Sequence, residues 1–120
     1  MSDLSAYVGL PYSRRLDCYG LLRKVLREVA GIELPDYRYP ADPAGRAAFA
    51  KGVMADWLPV LRPRPLDIVL IEDAGEPRHV GLVVRRGCML HTDAVLGRAR
   101  IERYDSGLYQ VAGFYRWGDA

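Results

Sequence analysis

GLPYSRRLDCYGLLRKVLREVAG, residues 9–31, is the stretch on which the fold turns. From Cys18 onward the apolar side chains recur at Leu21, Leu22, Val25, Leu26 and Val29. That is the i, i+3, i+4, i+7 spacing of one face of an α-helix. Arg23, Lys24, Arg27 and Glu28 fall on the opposite face. Asp17 is an N-cap type, with a short carboxylate able to accept a first-turn N–H, and Gly31 supplies a left-handed stop. The spacing predicts a helix that begins at Cys18 and ends at Gly31. Before it, a short helix is expected over Asp3–Tyr7, broken by Gly9 and Pro11.

After this helix the pattern changes. Residues 32–43, IELPDYRYPADP, carry three prolines and read as an irregular crossing segment. Asp42-Pro43 offers an N-cap followed by a first-turn proline, so a second helix is expected from there to about Lys51. PVLRPRP, residues 59–65, reads as a stiff connector. Beyond Pro65 come five short segments rich in β-formers: 67–71, 79–85, 88–93, 98–103 and 111–116. Gly75-Glu76-Pro77, Arg86-Gly87, Gly97 and Ser106-Gly107 separate them. Helices followed by an antiparallel meander define an α+β chain rather than alternating βαβ units.

The 120 residues are expected to form a single domain, with 50% hydrophobic residues for one core. The net charge of +2 is shared evenly by the two halves, which gives no polyanion-binding arm, so no nucleic-acid partner is expected. No stretch is apolar enough to span a membrane, and the N-terminus lacks the basic and apolar regions of a signal peptide. Synthesis in the cytoplasm is the expectation. Two cysteines, Cys18 and Cys88, are too few for a disulfide framework.

Cys18 has two readings. In the first turn of a helix, unpaired N–H groups and the positive dipole end favour a thiolate, and the same N–H groups suit a developing oxyanion. Cys18 also lies on the apolar face, where a cysteine is commonly an inert core residue. A nucleophilic cysteine needs a base, and the sequence has only His79 and His91. On a strand His79 shares a face with Gly81 and Val83, while Val80, Leu82 and Val84 take the other. Met89, His91 and Asp93 share a face in the same way, and a tight hairpin through 85–88 would make the histidines neighbours. The bland alternative is two half-exposed histidines. A zinc site from Cys18, His79, His91 and Asp93 fits none of the compact ligand spacings, and no metal or other cofactor is expected. Cys88 is out of phase with His91 and reads as a buried or half-buried thiol.

Three blocks together resemble the NlpC-type cell-wall peptidases, a papain-like group of cysteine hydrolases. Gly9, Pro11 and Tyr12 precede Asp17-Cys18-Tyr19-Gly20-Leu21; Asp67-Ile68-Val69 precedes His79-Val80-Gly81-Leu82; and His91 follows His79 by 12 residues. The resemblance implies a papain-like fold, with N-terminal helices packed on a central antiparallel sheet of about five strands over residues 1–120. It implies Cys18 as nucleophile, His79 as general base and His91 as the group orienting it. The Cys18 N–H, with Tyr12 or Asp17, would serve the oxyanion and substrate. The implied reaction is hydrolysis of a peptidoglycan stem-peptide amide through a thioester.

Tyr19 in place of a commoner serine, the ELPDY run at 33–37 and VAGFYR at 111–116 resemble the branch found in phage and prophage tails and related particles. That implies tail-tip or hub proteins as partners and a virion component acting at the host wall or periplasm. A tail-tip protein that keeps the fold but works mainly by docking is the alternative. Two departures stand out: the loop between Tyr12 and Asp17 is only Ser13–Leu16, and the usual glycine before Asp67 is Leu66. The turn at Leu66 must therefore be built another way.

Overall fold

The structure is a computed structural model and describes residues 4–35, 57–73 and 75–117. The second helix expected over residues 42–51 lies outside these residues.

The helix (α1, Cys18–Val25) starts where the sequence places it. Asp17 keeps extended backbone at φ −81°, ψ −170°, and its Oδ1 accepts the Gly20 N–H at 2.8 Å. Cys18, Tyr19, Leu21, Leu22 and Val25 are buried, and each large aliphatic among them contributes about 1.5–3 kcal/mol by leaving water. From Leu26 to Ala30 the coil widens into a π-helical turn that ends at Gly31 with φ 69°. A wider turn carries more residues per revolution. Val29 is thereby rotated off the apolar stripe and is 36% exposed, whereas Leu26 stays in the core. The expected helix before Gly9 is reduced to a 3₁₀ turn, Ser5–Tyr7.

Among the described residues six strands form one antiparallel sheet: β1 (Trp57–Val60), β2 (Ile68–Asp73), β3 (Glu76–Arg85), β4 (Cys88–His91), β5 (Arg100–Arg103) and β6 (Gln110–Trp117). Their order is β1-β6-β2-β3-β4-β5. The five anticipated strands are all present. The sixth, β1, was not anticipated, and its last two residues, Pro59 and Val60, fall on the stretch read as a connector. It holds Pro59 opposite Tyr115 and pairs with β6 alone. An edge strand tolerates proline because only one side needs ladder donors.

Strand alternation sorts the core into two faces. Ile68, Leu70, Val80, Leu82, Val84 and Leu90 pack with Cys18, Leu21, Leu22 and Val25 of α1. Val69, Ile71, Val83, Met89 and Tyr104 form a second cluster, with Tyr109, Val111 and Phe114 against it. Helix α1 itself lies on β3 and β4.

The turn into β2 resolves the Leu66 departure. The Asp67 N–H returns to the Arg64 carbonyl at 3.0 Å, and Leu66 takes φ 74°. Pro65 then sits at the second position of the turn and Leu66 at the third, the arrangement of a type II turn in which glycine is favoured at that third place. Leucine holds it at a strain of about 1–2 kcal/mol. Bonds from the same corner offset that strain: the Leu66 N–H reaches the Val83 carbonyl at 2.8 Å, and Asp67 Oδ2 accepts the Arg64 N–H at 2.8 Å. Arg116 closes the corner by donating Nε and Nη2 to the two Asp67 oxygens, both at 2.7 Å.

Candidate active site

Three segments carry the candidate residues. The first is the start of α1. Cys18 is 4% exposed and is the first residue of α1 in the helix-facing core. Its turn depends on Gly20. A Cβ on Gly20 would collide with the Arg15 backbone carbonyl and lie 3.2 Å from Asp17 Oδ1. The chain from Ser13 to Asp17 can therefore fold tightly under α1 only because residue 20 has no side chain. Gly20→Ala is expected to destabilise by about 1–3 kcal/mol, the range for a forced backbone shift, and to slow Cys18 alkylation by displacing its turn. Urea unfolding and iodoacetamide kinetics check the two effects; an unchanged midpoint would contradict the first.

Tyr19, next to the cysteine, is fully buried and donates its hydroxyl to the Pro35 carbonyl at 2.7 Å. It fastens the segment leaving the helix to its first turn.

The second segment is the β3–β4 hairpin. Arg85 pairs with Cys88, so the expected tight connection is present. His79 pairs with Ile71, while Pro77 pairs with Glu72, which leaves Arg78 as an extra residue on β3. This bulge lies immediately before His79, a device that bends a strand and re-aims the side chain beside it. His79 is half-buried and directly precedes Val80, the first β3 residue of the helix-facing core. His91 ends β4 and is 1% exposed. The two imidazoles meet as the strand pattern anticipates: His79 Nε2 lies 2.8 Å from His91 Nδ1, with ring planes at 72°.

The third segment is β5 with its flanks, and it brings to the histidines residues that the sequence does not place there. Met89 pairs with Glu102, so Glu102 lies on the His91 face of the sheet. Glu102 Oε1 is 3.0 Å from His91 Nε2. Tyr109 donates its hydroxyl to Glu102 Oε2 at 3.3 Å, and its ring meets His91 edge-on at 5.4 Å between centroids.

With Glu102 ionised and His91 neutral, these contacts are satisfied by one arrangement of protons. A carboxylate only accepts, so His91 Nε2 carries its proton toward Glu102. In the neutral ring Nδ1 is then the acceptor, and it receives the His79 Nε2 proton. His79 is left with Nδ1 as its basic nitrogen.

Burial pushes the His91 pKa below its ordinary value of 6.5, more strongly than the Glu102 hydrogen bond and the Glu102 and Asp93 charges raise it; Arg100 adds to the lowering. The ring is neutral near pH 7. Between its folded value and 6.5 the unfolded chain binds a proton that the native one resists, so stability falls as the pH drops through that interval. Wild type should lose more unfolding free energy between pH 8 and pH 5 than His91→Gln. Equal losses in urea titrations would contradict this account.

The segment before α1 is tied to the same region. The Gly9 N–H bonds the Ala99 carbonyl at 2.9 Å, the Ala99 N–H the Leu10 carbonyl at 2.8 Å, and the Tyr12 N–H the Gly97 carbonyl at 2.9 Å. Tyr12 is thus held against the loop that follows His91. The other anticipated binding residue, Asp17, is 7% exposed, and its Oδ1 serves the helix cap. Cys88 is buried, and no disulfide joins it to Cys18. Among the described residues no three His, Cys, Asp or Glu side chains are grouped to hold a metal ion, and no helix is long and apolar enough to cross a membrane.

A helix that begins with cysteine, packed on an antiparallel sheet that carries a histidine pair, is the architecture of the papain-like cysteine peptidases. Within that class the chain belongs to the NlpC/P60 family, whose profile matches residues 7–117. Solved structures agree in fold. NlpC2 from Trichomonas vaginalis superposes with a TM-score of 0.69 at 20% identity, covering 93% of this chain and 42% of that one. The NlpC/p60 domain of the peptidoglycan hydrolase SagA gives 0.62 at 18% identity, covering 95% and 92%. An NlpC/P60 family protein from Bacillus cereus gives 0.63 at 20% identity, covering 92% and 36%. This chain thus spans under half the length of the Trichomonas and Bacillus proteins. A comparison with curated proteins gives no match.

Proposed function

We propose that this chain is a cysteine peptidase that hydrolyses an amide bond of peptidoglycan stem peptides. The observation that carries the proposal is the His79 Nε2 to His91 Nδ1 contact of 2.8 Å on the strands against which the Cys18 helix packs. His79 Nδ1 takes the Cys18 proton as Sγ attacks the amide carbonyl carbon, then delivers it to the leaving amine. The acyl group remains on Sγ as a thioester. A water deprotonated by His79 attacks that thioester, releases the carboxylic acid and restores the thiol. His91 acts through His79, by holding its ring. The Cys18 N–H, with the Tyr12 hydroxyl, is the proposed donor pair for the oxyanion. Asp17 contributes by keeping the first turn of α1 in place.

The wall as substrate is supported by family membership and by the fold shared with a peptidoglycan hydrolase domain. The setting we propose is a phage-type tail tip that opens the host wall locally. Tyr19, the run at 33–37 and the run at 111–116 support it by their likeness to that branch.

Purified protein incubated with muropeptides should release new amine and carboxyl termini, and iodoacetamide at neutral pH should label Cys18 faster than Cys88. Equal, slow labelling together with no cleavage of any wall preparation would overturn the proposal.

A further inference from the structure

Glu102 places a carboxylate directly on the histidine pair, and neither the triad nor the motif blocks include it. We propose that Glu102 is a positioning residue of the site, whose carboxylate holds His91 in the Nε2–H form so that Nδ1 remains an acceptor for His79. The inference rests on the catalytic reading above and extends it by one residue.

The geometry is directional. His91 is a buried ring with two polar atoms, and each has one partner of fixed sense: Nδ1 meets His79 at 2.8 Å and Nε2 meets Glu102 at 3.0 Å. A neutral imidazole in water divides its proton between both nitrogens. If His91 carried its proton on Nδ1, it would donate to His79 Nε2, and His79 in its neutral form would carry its own proton on Nδ1, where it could no longer accept one from Cys18. The Glu102 carboxylate excludes that form because it can only accept. Its own placement is set twice, by the β5 register opposite Met89 and by the Tyr109 hydroxyl on Oε2 at 3.3 Å. Burial, then the Glu102 charge and hydrogen bond, raise the Tyr109 pKa, so its hydroxyl stays a donor. The charged and titratable groups acting on His91 are Glu102, Asp93 and Arg100, with His79 in contact.

The test reads the proton directly. The chain has only two histidines, so the imidazole 15N spectrum of the intact protein is assigned with one variant, His91→Gln. Wild type at pH 7.5 should show His91 protonated at Nε2 alone. Glu102→Leu, which removes the acceptor, should convert it to a tautomer mixture. Muropeptide hydrolysis should fall on the order of tenfold or more, the worth of one charge-assisted hydrogen bond, mostly in kcat. Glu102→Gln, which retains an oxygen acceptor, should recover most of the single tautomer and of the rate.

A wild-type His91 protonated at Nδ1, or Glu102→Leu with one unchanged tautomer and full activity, would overturn the proposal. If Glu102→Leu does not fold, the wild-type and Glu102→Gln spectra still decide. Absence of hydrolysis in the wild type with the expected tautomers would instead fail the peptidase reading and leave the role of Glu102 on His91 intact.

Discussion

Cys18→Ala should abolish muropeptide cleavage, with a loss on the order of 10⁴-fold or more, while the protein stays folded. In the proposed mechanism the thioester forms on Cys18, and the other thiol, Cys88, lies at the far end of β4, paired with Arg103 and on the opposite face from His91. The loss therefore extends to the whole covalent route. The structural effect is small by comparison. Alanine is a good helix former, and losing one buried sulfur leaves a gap worth about 1 kcal/mol. Assay of released termini, alongside the urea midpoint of the same sample, separates the two. Persistent cleavage at a wild-type rate would dismiss Cys18 as nucleophile.

Asp67→Ala carries the largest expected effect on stability. Asp67 is 2% exposed and accepts from both Arg116 donors and from the Arg64 N–H. Its removal leaves a half-buried guanidinium without its carboxylate, and a strained left-handed Leu66 without the cap that closes its turn. Breaking a buried pair on one side costs about 3–5 kcal/mol. Because Arg116 retains some contact with solvent, the lower end, near 3 kcal/mol, is expected. That corresponds to roughly 10 °C in Tm for a domain of this size. Arg116→Met added to Asp67→Ala should recover part of the loss, since no charge is then stranded. A double variant less stable than the single one would contradict this account of the corner.

The strong periodic signals carried the fold. A six-residue apolar stripe after Asp17 has one good solution, and α1 starts at Cys18 as that stripe requires. The β3–β4 hairpin was legible because Arg86-Gly87 leaves little room for any other connection, and with it came the His79–His91 contact. Three features were hidden for identifiable reasons. Trp57–Val60 lies beside a run of prolines, which reads as a connector until the pairing shows that it is an edge. The π-helical turn changes the period within a sequence that still looks like a regular helix, so Val29 was placed inside. Glu102 depends on the register of β5 against β4. The intervening residues 92–99 carry no turn short enough to fix that register, so no local pattern ties Glu102 to His91. The signal available was a lone acidic position within an alternating strand, which is ordinarily a solvated one.

The three backbone bonds between residues 9–12 and 97–99 have a consequence for how this site can be varied. Tyr12 is held from one side by main-chain atoms of the loop after β4, and Asp17 from the other by the cap of α1. Ser13–Leu16 bridges two fixed posts, closed on itself by the Leu16 N–H on the Ser13 hydroxyl at 3.0 Å. Arg15 of that bridge packs its backbone carbonyl against Gly20, so a loop rewritten between the two posts leaves the first turn of α1 in place only where that close approach is kept.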